Sequence, residues 1–259
     1  MKQALVLLAA LALLVGCGGN ASAADAPVPT VPAFAPADPA ADAPVPEPTP
    51  DPNRPMVALT FDDGPTSYTP QVLDLLERYG AKGTFFVIGR NLDEETKPVL
   101  QRMADLGCDI GMHDLTHTDL TRLSYAGNVK RIQRMRALIF DQIDGGYETH
   151  LLRPPFGSLN KTVRRALRSA DAASIRWSVD TLDWRSKDPG AILKIVKAQT
   201  RDGAILLFHD RLPSTVAALR KAIPWLQEQG YELVTVTELI ESSGQSIRYG
   251  EDYRCKPGR

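Results

Sequence analysis

The 259-residue chain has only three cysteines, Cys17, Cys108 and Cys255. That is too few for a disulfide scaffold, and no pair sits at zinc-finger spacing. Neither charge predominates: 30 basic residues against 31 acidic ones leave a formal net charge of -1. The basic excess that marks a nucleic-acid partner is missing, and no nucleic acid is expected. The apolar run at residues 4–15 would cover about 18 Å as a helix, short of a ~30 Å hydrocarbon core. Histidine is scarce, at four, so the position of each is informative. What is present is globular composition, 43% hydrophobic and 24% charged, which excludes wholesale disorder and suits one domain with appendages. Proline is unevenly spread: eleven of the 20 fall between Pro27 and Pro55.

The apolar run follows one basic residue, Lys2, and ends at Gly16 and Cys17. That layout reads as a secretory signal. Leu14-Val15-Gly16-Cys17 resembles the bacterial lipobox, in which the cysteine is lipidated and becomes the mature N-terminus. Residues 1–16 are therefore expected to be a lipoprotein signal peptide and Cys17 the lipidation site. The protein would be exported and anchored to a membrane, facing the periplasm or cell exterior; a non-lipidated secreted form is the alternative. Residues 18–53 hold five acidic residues and no basic one among Ala, Pro and Val, too little apolar surface to offset ordering entropy. Residues 17–53 are expected to be a disordered tether, in polyproline form reaching roughly 110 Å.

From Met56 onward, short apolar runs alternate with longer amphipathic ones. Strands are expected at 57–61, 84–88, 109–112, 150–152, 174–179, 204–208 and 232–234. Helices are expected at 70–79, 94–106, 124–143, 159–169, 189–200 and 213–229, with a last one from Val236. Gly80, Gly107 and Gly230 stand where helix C-caps belong. Such alternation implies a parallel sheet with crossover helices, either an open doubly wound sheet or a closed barrel. About 190 residues is small for eight units; seven fit better. Ionisable residues follow five of the strands: Asp62 and Asp63, His113, Arg153, Asp180 and Asp183, and His209. In a barrel those ends converge on one mouth. The folded domain is expected over 54–242, with a tail at 243–259.

Adjacent carboxylates in Thr60-Phe61-Asp62-Asp63-Gly64-Pro65 sit on a tight turn, and His113 and His117 are four apart, a spacing that lets two imidazoles point the same way. A divalent metal held by one carboxylate and two imidazoles keeps positions open for water and substrate, and leaves the second aspartate free as a base. Arg153, in Arg153-Pro154-Pro155-Phe156-Gly157, has the chemistry to orient an aspartate and keep it ionised. A carboxylate of Asp180-Thr181-Leu182-Asp183-Trp184 either caps the next helix or holds His209 and raises its pKa, making it a general acid. His150 reads as a loop histidine.

Taken in order, these strings resemble the motifs of the polysaccharide deacetylase family, the NodB-homology or carbohydrate esterase family 4 domain, over roughly residues 55–239. The resemblance implies a distorted (β/α)7-type barrel and hydrolytic removal of acetyl groups, usually N-acetyl, from a glycan. By position, Asp62 resembles the catalytic base; Asp63, His113 and His117 resemble the metal triad, usually zinc. Arg153 resembles the arginine that positions the base, Asp183 the aspartate that tunes the acid, and His209 the acid itself. The backbone amide of Phe156 would hold the oxyanion, with phenylalanine where the family usually has tyrosine. Trp184 and Leu207 resemble the walls of the acetyl pocket, while Asp114 and Thr118 depart from the family pattern. The partners implied are an acetylated glycan (peptidoglycan, a chitin-like oligomer, an exopolysaccharide or acetylated xylan) and a membrane reached through the lipid. The protein is expected to be a monomer. Other readings are a non-catalytic glycan-binding lipoprotein, a structural envelope tether, or another metal hydrolase on the same barrel.

Overall fold

The computed structural model describes residues 54–258; the expected signal peptide, Cys17 and the linker lie outside the described residues. In chain order the elements are β1 (Met56–Asp62), α1 (Thr69–Arg78), β2 (Thr84–Val87), α2 (Lys97–Asp105), β3 (Asp109–Met112) and α3 (Tyr125–Asp141). There follow β4 (Leu151–Leu152), α4 (Lys161–Ser169), β5 (Ala173–Ile175), β6 (Val179–Asp180), α5 (Asp183–Ser186) and α6 (Pro189–Gln199). The chain closes with β7 (Ile205–His209), α7 (Pro213–Glu228), β8 (Glu232–Val234), α8 (Val236–Glu241) and β9 (Asp252–Tyr253).

Helix starts are chemically marked. Ser124, Asn160, Asp188 and Thr235 each accept a backbone N–H of the first turn, and α1, α2, α6 and α7 carry proline in that turn. The expected C-cap glycines 80, 107 and 230 all take positive φ, which a glycine does without a Cβ clash.

The strands pair in parallel in the order β6-β7-β1-β2-β3-β4-β5-β9, with β8 on the first half of β1. All seven residues of β1 are buried, as befits a parallel strand covered on both faces. The pleat divides them. Met56 and Ala58 pack inside the curl with Phe86, Ile175 and Ile205, whereas Val57, Leu59 and Phe61 pack in the larger core shared with the helices. The same alternation turns Thr60 and Asp62 inward. The sheet matches the expected NodB-like (β/α)7 fold.

Two segments differ from expectation. The run 174–179 is two strands, because Arg176–Ser178 leave the ladder between β5 and β6. The tail also returns to the sheet: β9 pairs with β5, Cys255 bridges Ala204 in antiparallel fashion, and Lys256 N–H donates to Gly203 O at 2.8 Å. This strap spans the gap between β5 and the start of β7. No periodic apolar pattern announces it, because a two-residue strand has too few positions to alternate.

Candidate active site

Register gathers the site. Asp62 is the Cα partner of His209 across the β1–β7 pairing. His113 N–H donates to Val87 O, and Arg153 N–H to Met112 O, both at 2.9 Å, so β2, β3 and β4 deliver these two residues at one level.

Asp63, His113 and His117 form a group whose candidate ligand atoms lie within 4.8 Å of one another. Nε2 of His113 is 3.6 Å and Nε2 of His117 3.5 Å from Asp63 Oδ1, too long for hydrogen bonds. Asp63 Oδ1 is buried and without a hydrogen-bond partner, while Oδ2 lies 2.7 Å from Arg211 Nε. A buried carboxylate oxygen left unpaired between two imidazole nitrogens fits a metal ligand set. The backbone is shaped for it, with Asp63 at φ 74° and His117 at φ 61°. His113 Nδ1 lies 2.8 Å from Arg153 O, which fixes the tautomer with Nε2 as the lone-pair donor. Partial burial, then the neighbouring His113, pull the His117 pKa down against the attraction of Asp63 and Asp62. A neutral ring is the ligand form.

Arg153 is fully buried. Its Nη1 donates to Asp62 Oδ1 at 2.7 Å and to Thr60 Oγ1 at 2.8 Å, Nε to Ile175 O at 3.1 Å, and Nη2 to Arg176 O at 3.0 Å. The guanidinium also lies 4.2 Å over the Phe86 ring. Burial lowers its pKa, with Asp62 opposing. The other Asp62 oxygen, Oδ2, is 3.5 Å from His113 Nε2.

Asp183 is fully buried and fully engaged. Oδ1 accepts from Trp184 N–H and lies against His209 Nδ1, while Oδ2 accepts from His209 N–H and Thr215 Oγ1, all at 2.7 Å. Burial works against a charge on His209, but the Asp183 hydrogen bond and charge, with Asp62 and Asp63 adding, outweigh it and raise the pKa. Asp180 accepts from Leu182 N–H and serves the turn alone.

Phe156 holds φ 62° on a short turn after Arg153. Its ring meets His117 edge-on at 4.6 Å and is 68% exposed. Trp184 is 46% exposed, whereas Leu207 is buried. His150 bonds Asp171 O and tilts against Tyr249, away from the contacts that build the site. Cys108 and Cys255 are free thiols, the first buried and the second exposed. Burial pushes the Cys108 thiol up to about 12.

Three supporting residues, Asp114, Asp210 and Arg211, are given no role by the sequence. Asp114, at φ 67°, accepts N–H groups from Thr116 and Thr118 at 3.1 and 2.7 Å, and Arg131 binds both its oxygens at 2.7 and 2.9 Å. The departure at Asp114 is thus a buried knot tying down the loop that carries His117. Thr118 contributes mainly a backbone amide, with its hydroxyl 3.3 Å from Arg131 Nη2. Asp210 is buried beneath the Asp62–Asp63 turn; a Cβ on Gly64 would overlap its carboxylate. Thr69 Oγ1 donates to Asp210 at 2.6 Å, and burial pushes the carboxyl up to about 7. Arg211, beside Asp63, is the third. Its place next to His209-Asp210 was the available signal; Arg131 offered none.

The profile of the family described as Polysaccharide deacetylase matches residues 49–175. The peptidoglycan-N-acetylglucosamine deacetylase PgdA of Listeria monocytogenes is 39% identical over 76% of this chain and 41% of its own length; the chain thus spans about two fifths of that relative. A peptidoglycan-N-acetylglucosamine deacetylase of Bacillus cereus is 37% identical over 73% of this chain and 89% of its own. Among solved structures, a family 4 acetyl xylan esterase from Clostridium thermocellum, in complex with a cobalt ion, superposes with a TM-score of 0.73 at 32% identity, covering 78% of this chain and 99% of that one. With this likeness and with this arrangement of strand-end residues, the chain belongs to the polysaccharide deacetylase family.

Proposed function

We propose that this protein is a metal-dependent hydrolase that removes acetyl groups, chiefly N-acetyl, from a cell-envelope or exported polysaccharide. Peptidoglycan is the favoured substrate, supported by the two named bacterial relatives. The observation that carries the reading is the unpaired Asp63 Oδ1 facing two imidazole nitrogens. Zinc is the metal we assign to Asp63, His113 and His117, from the imidazole and carboxylate donors. Bound there, it supplies Lewis-acid polarisation of the acetyl carbonyl and lowers the pKa of water.

The chain's own residues do the rest. Asp62, held by Arg153, takes the proton of the attacking water. The backbone N–H of Phe156 donates to the oxygen on which negative charge develops. His209, with Nδ1 occupied by Asp183, presents Nε2 to protonate the departing sugar nitrogen. Trp184 and Leu207 flank the acetyl methyl. Cys17, carrying lipid, would tether the enzyme to a membrane on the exported side; Cys17→Ser should then move it from the membrane to the soluble fraction.

The test is acetate release from peptidoglycan, N-acetylglucosamine oligomers, an acetylated exopolysaccharide and acetylated xylan, before and after chelation and zinc addition. Release from peptidoglycan that stops on chelation and returns with zinc supports the proposal. Metal-independent release, or none from any glycan, overturns it.

A further inference from the structure

Arg176 belongs to none of the motifs that build the site, yet it touches three of its supports. Its backbone N–H donates to Tyr253 O of β9 at 2.7 Å. Its backbone carbonyl accepts from Arg153 Nη2 at 3.0 Å. Its guanidinium forks onto Asp252, with Nε 2.8 Å from Oδ1 and Nη2 on Oδ2, and Nη1 reaches Gly157 O at 3.4 Å.

The pair is sheltered, its side chains 18% and 9% exposed. Asp252 also accepts from Ser174 Oγ at 2.9 Å. Burial would raise its carboxyl, but hydrogen bonds from Arg176 and Ser174 and the nearby guanidinium charges hold it below the ordinary carboxylate value. A two-pronged charge-assisted pair has defined geometry as well as strength. It lies where the ladder breaks between β5 and β6, so among the described residues Ile175 and Arg176, whose carbonyls anchor Arg153, have β9 alone beyond them in the sheet order.

We propose that the C-terminal strap is a positioning element of the active site, acting through Asp252 and Arg176. The strap steadies the two carbonyls on which Arg153 rests, hence Asp62, and through Gly157 the turn that bears the Phe156 amide. Arg176 and Asp252 are positioning residues; neither touches substrate. The proposal rests on the reading of Asp62 as base and Phe156 N–H as oxyanion donor. Small displacements of such groups cost up to about 10²-fold in rate, so the loss should fall on kcat rather than KM.

The experiment uses the full chain with zinc and N-acetylglucosamine oligomers, following acetate release well below each variant's own unfolding temperature. Asp252→Asn and Arg176→Met should each lower kcat about tenfold with KM within about twofold. The double variant should be no slower than either single, and Arg176→Lys should recover part of the rate. Zinc stoichiometry should stay at that of the wild type. Should Asp252→Asn fail to fold, Arg176→Met and Arg176→Lys carry the test. Unchanged kcat, additive losses in the double variant, or a loss confined to KM overturns the proposal. A wild-type protein that releases no acetate overturns the functional reading instead.

Discussion

The two histidine–carboxylate groups at the mouth of the barrel use the same side chains and are finished to different degrees. In the Asp183–His209 pair both carboxylate oxygens are engaged, at 2.7 Å throughout. In the Asp63–His113–His117 group the nearest approaches are 3.5 and 3.6 Å, and Asp63 Oδ1 has no partner although it is buried. A buried polar atom without a partner costs about 1–3 kcal/mol. The first group is complete with the atoms the chain supplies; the second calls for a cation. On the proposed mechanism, the polypeptide builds its acid unaided and leaves its electrophile to an added ion.

The sharpest way to break this contrast is to remove Asp62, the base of the proposed mechanism, which approaches His113 and pairs in register with His209. Asp62→Asn should lower kcat on the order of 10³-fold, within the range for losing general-base help, while zinc binding measured by competition with a chelating dye persists. A variant that keeps turning over would refute the assignment of the base. Next in size, Asp183→Asn should cost on the order of 10²-fold and alter the pH profile. Asp183 raises the His209 pKa against the opposing effect of burial. Without its charge the ring loses its proton at lower pH, so the alkaline limb of kcat moves to lower pH; a limb that stays in place would detach His209 from the profile.

Asp114→Asn should weaken zinc binding about tenfold, as outer-shell partners of metal ligands do, since it loosens the loop that carries His117. Unchanged zinc affinity would reduce the Asp114–Arg131 knot to a loop brace. The smallest expected effect lies outside both groups. Thr235→Ala removes the capping box of α8 and should cost about 1 kcal/mol of stability by denaturant titration with kcat intact. Chelation itself sharpens the comparison: acetate release should vanish, while the downfield proton NMR signal of the His209–Asp183 hydrogen bond remains.

Much of this site is legible in the sequence. Asp62, Asp63, His113, Arg153 and His209 each follow an apolar run of strand length, and a parallel barrel sends all strand ends to one mouth. What escaped was whatever depends on partners far apart in sequence with no period of their own. Arg131 binds Asp114 across 17 residues, Asp210 meets Thr69 across 141, and Arg176 meets Asp252 across 76. Each of these arginines and aspartates reads in isolation as a solvated surface charge. The break between β5 and β6 was equally hidden, because 174–179 carries one unbroken strand-like composition.

By itself the sequence determined the repeating strand–helix order and the identity of the ionisable residues at the strand ends. Those follow from periodicity and local backbone preference, which operate within a few residues. Only the tertiary structure decided that Asp63 keeps an oxygen open between two imidazoles, that Arg131 ties down Asp114, and that residues 252–256 strap β5 to the start of β7 beside Arg153. Such outcomes depend on distances across the sheet, and those are set by packing and register rather than by any short stretch of chain.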